Sequence, residues 1–176
     1  IEDTKATVGD LIISGNQISD FRRYGISLDY IGTTGWEGSC TGDIGELIIK
    51  SNEIRSGEAH TSAIYISSWI YIYDLSDTAK VEIGDLHIDY NTIDVTNNGI
   101  SVSSEYLGSQ LRDESKCLVG MAFIRNNRIL NSKNGLDIDF MNMGENLGNS
   151  TAVFKGFEFQ DNYVYSGEIS IDVSLS

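Results

Sequence analysis

The sequence predicts an all-β fold, a parallel β-helix of about five coils in which each coil stacks on the next. Three observations carry this prediction: an Asn recurs at nearly constant spacing, alternating apolar residues precede it, and a second alternating segment follows it. Pro is absent and Gly occurs 18 times, a composition that favours short strands joined by tight turns. We expect a single domain over residues 1–176, which is long enough to bury a core.

The Asn repeat is the clearest of these signals. The segments ISGNQI, IKSNEI, IDYNTI, IRNNRI and FQDNYV align on asparagines that lie 36, 39, 36 and 35 residues apart. Asn tolerates the left-handed backbone of a tight turn, and stacked amide side chains can hydrogen-bond to one another. We therefore predict a ladder of stacked side chains formed by Asn16, Asn52, Asn91, Asn127 and Asn162.

Apolar residues on both sides of the Asn predict the strands. Before the Asn they alternate as Leu11/Ile13, Leu47/Ile49, Leu86/Ile88, Ala122/Ile124 and Phe157/Phe159. After it, the leading aliphatic residues are Ile26, Ile64, Ile100, Leu136 and Ile169. Alternation with a period of two turns one face of each strand inward. Strands this short cannot stand alone, so each must pair with its equivalent in the next coil, about 4.8 Å away.

This pattern resembles the right-handed parallel β-helix proteins, a superfamily with pectate-lyase-like and NosD-like members. The N-x-I/V after a strand and the later G-I-x-apolar segment carry the resemblance over residues 8–174. It implies a right-handed coil. It does not imply one activity, because the family includes lyases, hydrolases, epimerases and structural proteins.

The segments between the repeats are expected to leave the solenoid as loops along one side. Insertions on one face of a repeat protein often form its binding face. Residues 69–74, WIYIYD, alternate aromatic residues with Ile and predict an extra strand. Four aromatic residues, Trp36, Trp69, Tyr71 and Tyr73, are candidates for contact with another chain or a glycan, and equally for core beneath the loops.

Three carboxylates are expected to lie close together on the outside of the last coils, namely Asp137, Asp139 and Asp172. If the chain is an enzyme, these are the candidate catalytic acids, because glycosidases use paired carboxylates. The family resemblance also implies calcium, which β-helix lyases bind through grouped Asp residues. However, the outward positions of these strands hold no basic residue, which favours a solvated acidic surface and no cofactor.

The two cysteines, Cys40 and Cys117, fall in the first and third connecting segments. Two coils separate those segments, nearly 10 Å at strand spacing. A disulfide requires Cα atoms within about 7 Å, so the loops would have to lean together. An intrachain disulfide, free thiols and a bond between chains all stay open.

The charge balance excludes some partners. The chain has 12 basic and 26 acidic residues, a net charge of −14. Nucleic acids and anionic membranes attract basic surfaces, so neither is an expected partner. No apolar run is long enough to insert into a bilayer.

The ends of the predicted solenoid suggest a function. Few residues precede the first strand, so we expect either a piece of a longer β-helix or coils that stack between molecules. The leading interpretation is an extracellular or cell-surface structural protein, not an enzyme, that self-assembles into a fibre, sheath or lattice. The alternatives are a carbohydrate-active β-helix, such as a polysaccharide lyase, a hydrolase or a depolymerase fragment, and a non-catalytic glycan-binding module.

Overall fold

The computed structural model describes residues 4–29, 31–104, 106–140 and 148–175. All secondary-structure elements in these ranges are β-strands. They form a parallel β-solenoid, as the sequence predicted. We call the strands contributed by one turn of the chain a rung. No helix among the described residues is long and apolar enough to cross a membrane.

Five rungs follow one another along the chain. Rung 1 contains β1 (Lys5–Val8), β2 (Leu11–Ser14), β3 (Gln17–Ser19), β4 (Tyr24–Asp29) and β5 (Gly32–Trp36). Rung 2 contains β6 (Thr41–Ile44), β7 (Leu47–Lys50), β8 (Glu53–Ser56), β9 (Ser62–Ser67) and β10 (Tyr71–Leu75). Rung 3 contains β11 (Lys80–Ile83), β12 (Leu86–Asp89), β13 (Thr92–Val95), β14 (Asn98–Ser104) and β15 (Tyr106–Ser109). Rung 4 contains β16 (Lys116–Arg125) and β17 (Arg128–Phe140), and rung 5 contains β18 (Thr151–Gln160) and β19 (Tyr163–Leu175).

Equivalent strands of successive rungs pair in parallel, which creates three sheets. In rungs 1 to 3 the first two strands belong to one eight-stranded sheet, and the third and fourth belong to another. The long strands β16 and β18 join the first of these sheets, and β17 and β19 join the second. The strands β5, β10 and β15 form a smaller three-stranded sheet. Because five rungs are joined by four connecting segments, the chain makes about four complete turns.

The core is a set of apolar columns that run along the solenoid axis. One column joins Ile13, Ile49, Ile88 and Ile124, each paired with the next across neighbouring strands. In rungs 2 to 4 these side chains have no exposed surface. Like-on-like stacking lets identical side chains fill each layer, so the two-residue alternation seen in the sequence becomes a continuous interior.

The connecting segments differ from the loops that the sequence predicted. Among the described residues, strands occupy part of these segments and run on into the next repeat: TGDI, KVEI, KCLV and TAVF stack as β6, β11 and the first halves of β16 and β18. Residues 141–147 of the fourth segment lie outside the described residues. These segments recur with the same period as the anchors, so their backbone groups pair instead of facing water. The extra strand expected at residues 69–74 is present as β10.

The last rung is shifted by two residues from its expected alignment. Leu136 pairs with Ile171, whereas Ile169 lies beside Asn134. The register shifts on either side of Ser132 cancel, so the strand keeps the 35-residue offset that separates Asn127 from Asn162. A two-residue slip preserves which side chains face inward, and for that reason the hydrophobic pattern alone does not reveal it.

Candidate functional site

The five ladder asparagines form one hydrogen-bonded column. The side-chain oxygen of each Asn in rungs 2 to 5 accepts from the backbone N–H and the amide nitrogen of the Asn before it, at 2.9 to 3.1 Å. The amide nitrogen of each Asn in rungs 2 to 5 also donates to a backbone oxygen of the preceding rung, as Asn91 does to Ile49 at 2.9 Å. The sequence predicts the left-handed backbone of each turn at the Asn itself. In the structure, the residue directly before each Asn adopts it.

This column has a direction. Each Asn turns its oxygen toward the preceding rung and its backbone N–H toward the following one. At rung 1, Asn16 donates to its neighbour Ser14 instead of to a preceding rung. Among the described residues, nothing donates to the Asn16 oxygen and nothing accepts from the Asn162 backbone N–H. Rung 1 therefore offers an acceptor and rung 5 offers donors.

The two terminal rungs also expose apolar side chains that would be buried elsewhere in the solenoid. Leu11 is 45% exposed in rung 1 and Ile171 is 51% exposed in rung 5, although both occupy core columns. Their equivalents in rung 3, Leu86 and Ile100, are fully buried. Each of these two side chains is covered by a described rung on one side only, and this accounts for its exposure.

The structure brings two of the three predicted acids side by side. Asp137 pairs with Asp172 on the adjacent strand, and Asp139 lies two residues further along the same face, opposite Ser174. Burial raises the pKa of the Asp137 carboxyl, and the charges of Asp172 and then Asp139 raise it further. Asp139 accepts a hydrogen bond of 2.6 Å from the Ser174 hydroxyl. The calcium and catalytic roles stay predictions.

The aromatic candidates separate into core and surface. Trp69 is fully buried and packs edge-on against Phe140 and Phe154, so it belongs to the core and cannot contact a glycan or another chain. Tyr71 and Tyr73 are half-buried on β10 and alternate with the buried Ile72. Trp36 is half-buried because its ring covers Gly42, where a side chain would collide with it.

No disulfide joins Cys40 to Cys117, which excludes the intrachain bond among the three alternatives, whereas a bond between chains stays a prediction. Cys40 directly precedes β6 in rung 2, whereas Cys117 lies in β16, two rungs further along. The two are also out of register, because Cys117 aligns with Val81 of the rung between them and Cys40 aligns with Ala79. Burial raises the pKa of the Cys117 thiol to about 12, which keeps it protonated and unreactive.

A polar cluster on the outer face of rungs 2 to 4 escaped the sequence reasoning. The His87 ring stacks on Phe123 with 4.9 Å between ring centroids, and its Nε2 lies 3.9 Å from a carboxylate oxygen of Glu46. Arg125 donates to both oxygens of Asp89, at 3.0 and 3.2 Å, and lies over the Phe123 ring. Its members come from three rungs, so no local spacing marks it in the sequence.

Beside this cluster runs an acidic groove of about 420 Å³. Its floor is a column of glycines, where a side chain at Gly84 would lie 2.8 Å from the Gly45 backbone. Its carboxylates are Asp10, Asp43, Glu46, Glu82 and Asp85, with Lys155 as the basic residue in its lining. The step from Gly to Asp or Glu that follows the first strand of rungs 1 to 3 is the sequence signal that could have revealed it.

A separate shallow hollow of about 550 Å³ lies outside the Asn column. Tyr90 and Tyr163, 63% and 59% exposed, border it. Arg128, Asp161 and Asn126 supply polar groups around it. Tyr90 adopts a left-handed backbone with φ of 57°, which is unusual for a bulky residue.

Comparisons with protein-family models, with curated proteins and with solved structures give no match.

Proposed function

We propose that this chain is a structural protein of the right-handed pectate-lyase-like and NosD-like class, outside the cell or on its surface, whose copies stack head to tail into a filament, sheath or lattice. The observation that carries the proposal is the correspondence between rung 5 and rung 1. If rung 1 of one copy continues the register beyond rung 5 of another, five core columns continue with an apolar residue.

The apolar columns support this continuation. The register fixes five pairs that would face one another between copies: Phe157 with Leu11, Phe159 with Ile13, Val164 with Ile18, Ile171 with Ile26 and Val173 with Leu28. All are apolar, so stacking would remove exposed hydrophobic surface from water without burying an unpaired polar group.

The Asn column supports the same direction of stacking. In head-to-tail contact, the Asn162 backbone N–H and amide of one copy would donate to the Asn16 oxygen of the next. The Asn16 amide would then donate to the Phe159 carbonyl, as Asn52 donates to Ile13 within the chain. Head-to-head contact would place two acceptors together, so the column favours a heterologous interface that propagates.

Charge at the ends is complementary at one position. Lys133 and Glu168 form an ion pair of 3.4 Å between rungs 4 and 5. Arg23 occupies the position in rung 1 that Lys133 occupies in rung 4, so it would lie over Glu168 of the preceding copy. The net charge of −14 opposes association overall. We therefore expect assembly to increase with salt, because the Debye length falls to about 3 Å at 1 M.

Blocking each end separately tests the proposal. We expect the wild-type chain to form long particles by negative-stain microscopy and analytical ultracentrifugation. Ile171→Lys blocks the rung 5 end and Leu11→Lys the rung 1 end, since a charge on an edge prevents pairing. Each variant alone should sediment as a monomer, and an equimolar mixture should give only a 1:1 dimer.

The matched control is Tyr90→Lys, which adds the same charge at an exposed position of rung 3. It should assemble like the wild type, and circular dichroism should show all variants folded. A monomeric wild type would overturn the proposal. Dimers formed by either blocked variant alone would instead indicate head-to-head contact.

A non-catalytic glycan-binding module is the second candidate, favoured by the hollow between Tyr90 and Tyr163. Exposed aromatic faces beside Arg and Asp can stack on sugar rings and hydrogen-bond to their hydroxyls. Tyr163→Ala should abolish retardation on a glycan affinity gel, whereas Tyr165→Ala, equally exposed in rung 5 but outside the hollow, should not. Product release from the same glycan, lost in Asp137→Asn, would favour a carbohydrate-active enzyme instead.

A further inference from the structure

We propose that Glu46, Asp85 and His87 form a binding site for a divalent transition-metal ion such as Zn²⁺ on the outer face of rungs 2 and 3. One ligand atom from each side chain lies within 4.8 Å of the other two. All three side chains are partly buried, so they are already held close to one another without being sealed from solvent. Nothing in the end-to-end assembly depends on this site.

The fold explains why the three meet. Glu46 and Asp85 occupy equivalent positions, each directly before the aligned pair Leu47 and Leu86. His87 follows Asp85 by two residues and therefore points from the same face of the sheet. The site is therefore built at the start of two neighbouring strands, β7 and β12. Glu46 directly precedes β7, Asp85 directly precedes β12, and His87 lies in β12.

Glu46 departs from the role that Asp plays at equivalent positions. The Asp10 carboxylate accepts from the Glu46 backbone N–H at 2.9 Å, and the Asp85 carboxylate accepts from Met121 N–H at 2.8 Å. Glu46 is longer by one methylene, and its carboxylate lies 3.9 Å from His87 Nε2 instead. Asp85 uses only Oδ1 in its backbone bond, which leaves Oδ2 for an ion.

The surroundings of His87 suit a metal ligand. Stacking on Phe123 fixes the plane of the ring, and Asp89 Oδ2 lies 3.7 Å from Nδ1. A carboxylate behind the second ring nitrogen is the usual support for a metal-bound His. Arg125 Nη2 also lies 3.3 Å from Nδ1. A metal ion on Nε2 would require the ring proton on Nδ1, the nitrogen that faces Asp89, while Arg125 keeps its two bonds to Asp89.

The ligand set and the local charge indicate which ion fits. Asp10, Asp43 and Glu82 line the same groove against Lys155, and Arg125 beside His87 is already paired with Asp89. The site therefore lies in a negative field that concentrates cations. Imidazole nitrogen suits zinc and similar transition metals, whereas calcium prefers oxygen ligands alone. We therefore expect Zn²⁺ to bind more tightly than Ca²⁺.

Isothermal titration of the whole chain with Zn²⁺ and with Ca²⁺ tests the site. We expect one Zn²⁺ per chain, bound at least about tenfold more tightly than Ca²⁺. His87→Gln and Glu46→Gln should each weaken Zn²⁺ binding by about tenfold or more, as loss of a ligand or its support does. Visible absorption of bound Co²⁺ supplies a second measurement, and it should disappear in His87→Gln.

Two matched controls separate a defined site from diffuse attraction. Glu82→Gln and Asp43→Asn remove a charge from the same groove without touching the three ligands. They should leave the Zn²⁺ affinity within about threefold, the change that a screened neighbouring charge produces. Equal losses in these controls, several equivalent ions per chain, or wild-type binding by His87→Gln would each overturn the proposal. Thermal unfolding without metal verifies that every variant is folded.

Discussion

Rung 1 and rung 3 carry nearly the same pattern and yet differ in almost every measure of burial. Leu86 is fully buried, whereas Leu11 in the same column is 45% exposed. Asn91 is 1% exposed and bonds to both neighbouring rungs, whereas Asn16 is exposed and bonds to one. In a solenoid, burial is supplied by the adjacent repeat and not by the repeat's own residues.

The largest expected difference between the two rungs concerns the ladder. Asn91→Ala removes four hydrogen bonds, two accepted from Asn52 and two donated to Ile49 and Asn127. At roughly 1 kcal/mol each, the loss in free energy of unfolding is about 4 kcal/mol. Asn16→Ala should cost at most about 1 kcal/mol, because its amide is exposed to water. Urea denaturation of a monomeric sample measures both, and equal losses would contradict the comparison.

Core truncation should give a smaller but parallel difference. Ile88→Ala creates a cavity in a fully buried column and should cost about 3 kcal/mol. Ile13→Ala, in the same column of rung 1, should cost about 1 kcal/mol, because its side chain is only partly buried. The Ile13→Ala cost should rise when the chain is concentrated enough to stack. An identical cost at all concentrations would argue against burial of rung 1 by a second copy.

The smallest expected effect concerns the acidic pair Asp137 and Asp172, which spans rungs 4 and 5. Asp137 has a raised pKa, so its charged form is disfavoured in the folded chain. Asp137→Asn should therefore stabilise the protein at pH 7 by about 0.5 kcal/mol, since like charges on adjacent strands repel. The gain should vanish as the pH falls below the unfolded carboxyl pKa of about 3.9.

Urea midpoints at pH 7 and pH 3 check this sign. Asp139→Asn is the control, because Asp139 accepts a hydrogen bond from Ser174 and should show no gain. A loss of stability in Asp137→Asn at neutral pH would mean that its carboxylate has a stabilising partner.

Much of the fold could be predicted from the sequence. The Asn spacing and the flanking alternation identify the parallel solenoid, the five repeats and the inward columns, because these features are local and recur. The strands within the connecting segments were missed, since GTTGW and TGDI contain few large apolar residues. Trp69 could be assigned to the core only once Phe140 and Phe154, from two later rungs, were seen to enclose it.

The sequence by itself determined the period of the repeat, the strand type and the side chains that face inward, because alternation and turn residues act within a few positions of chain. Only the tertiary structure decided which residues lie over one another. It set the pairing of Leu136 with Ile171, the separation of Cys40 from Cys117 and the meeting of Glu46 with His87. These depend on the register between strands more than thirty residues apart, which a repeat with unequal spacings leaves open.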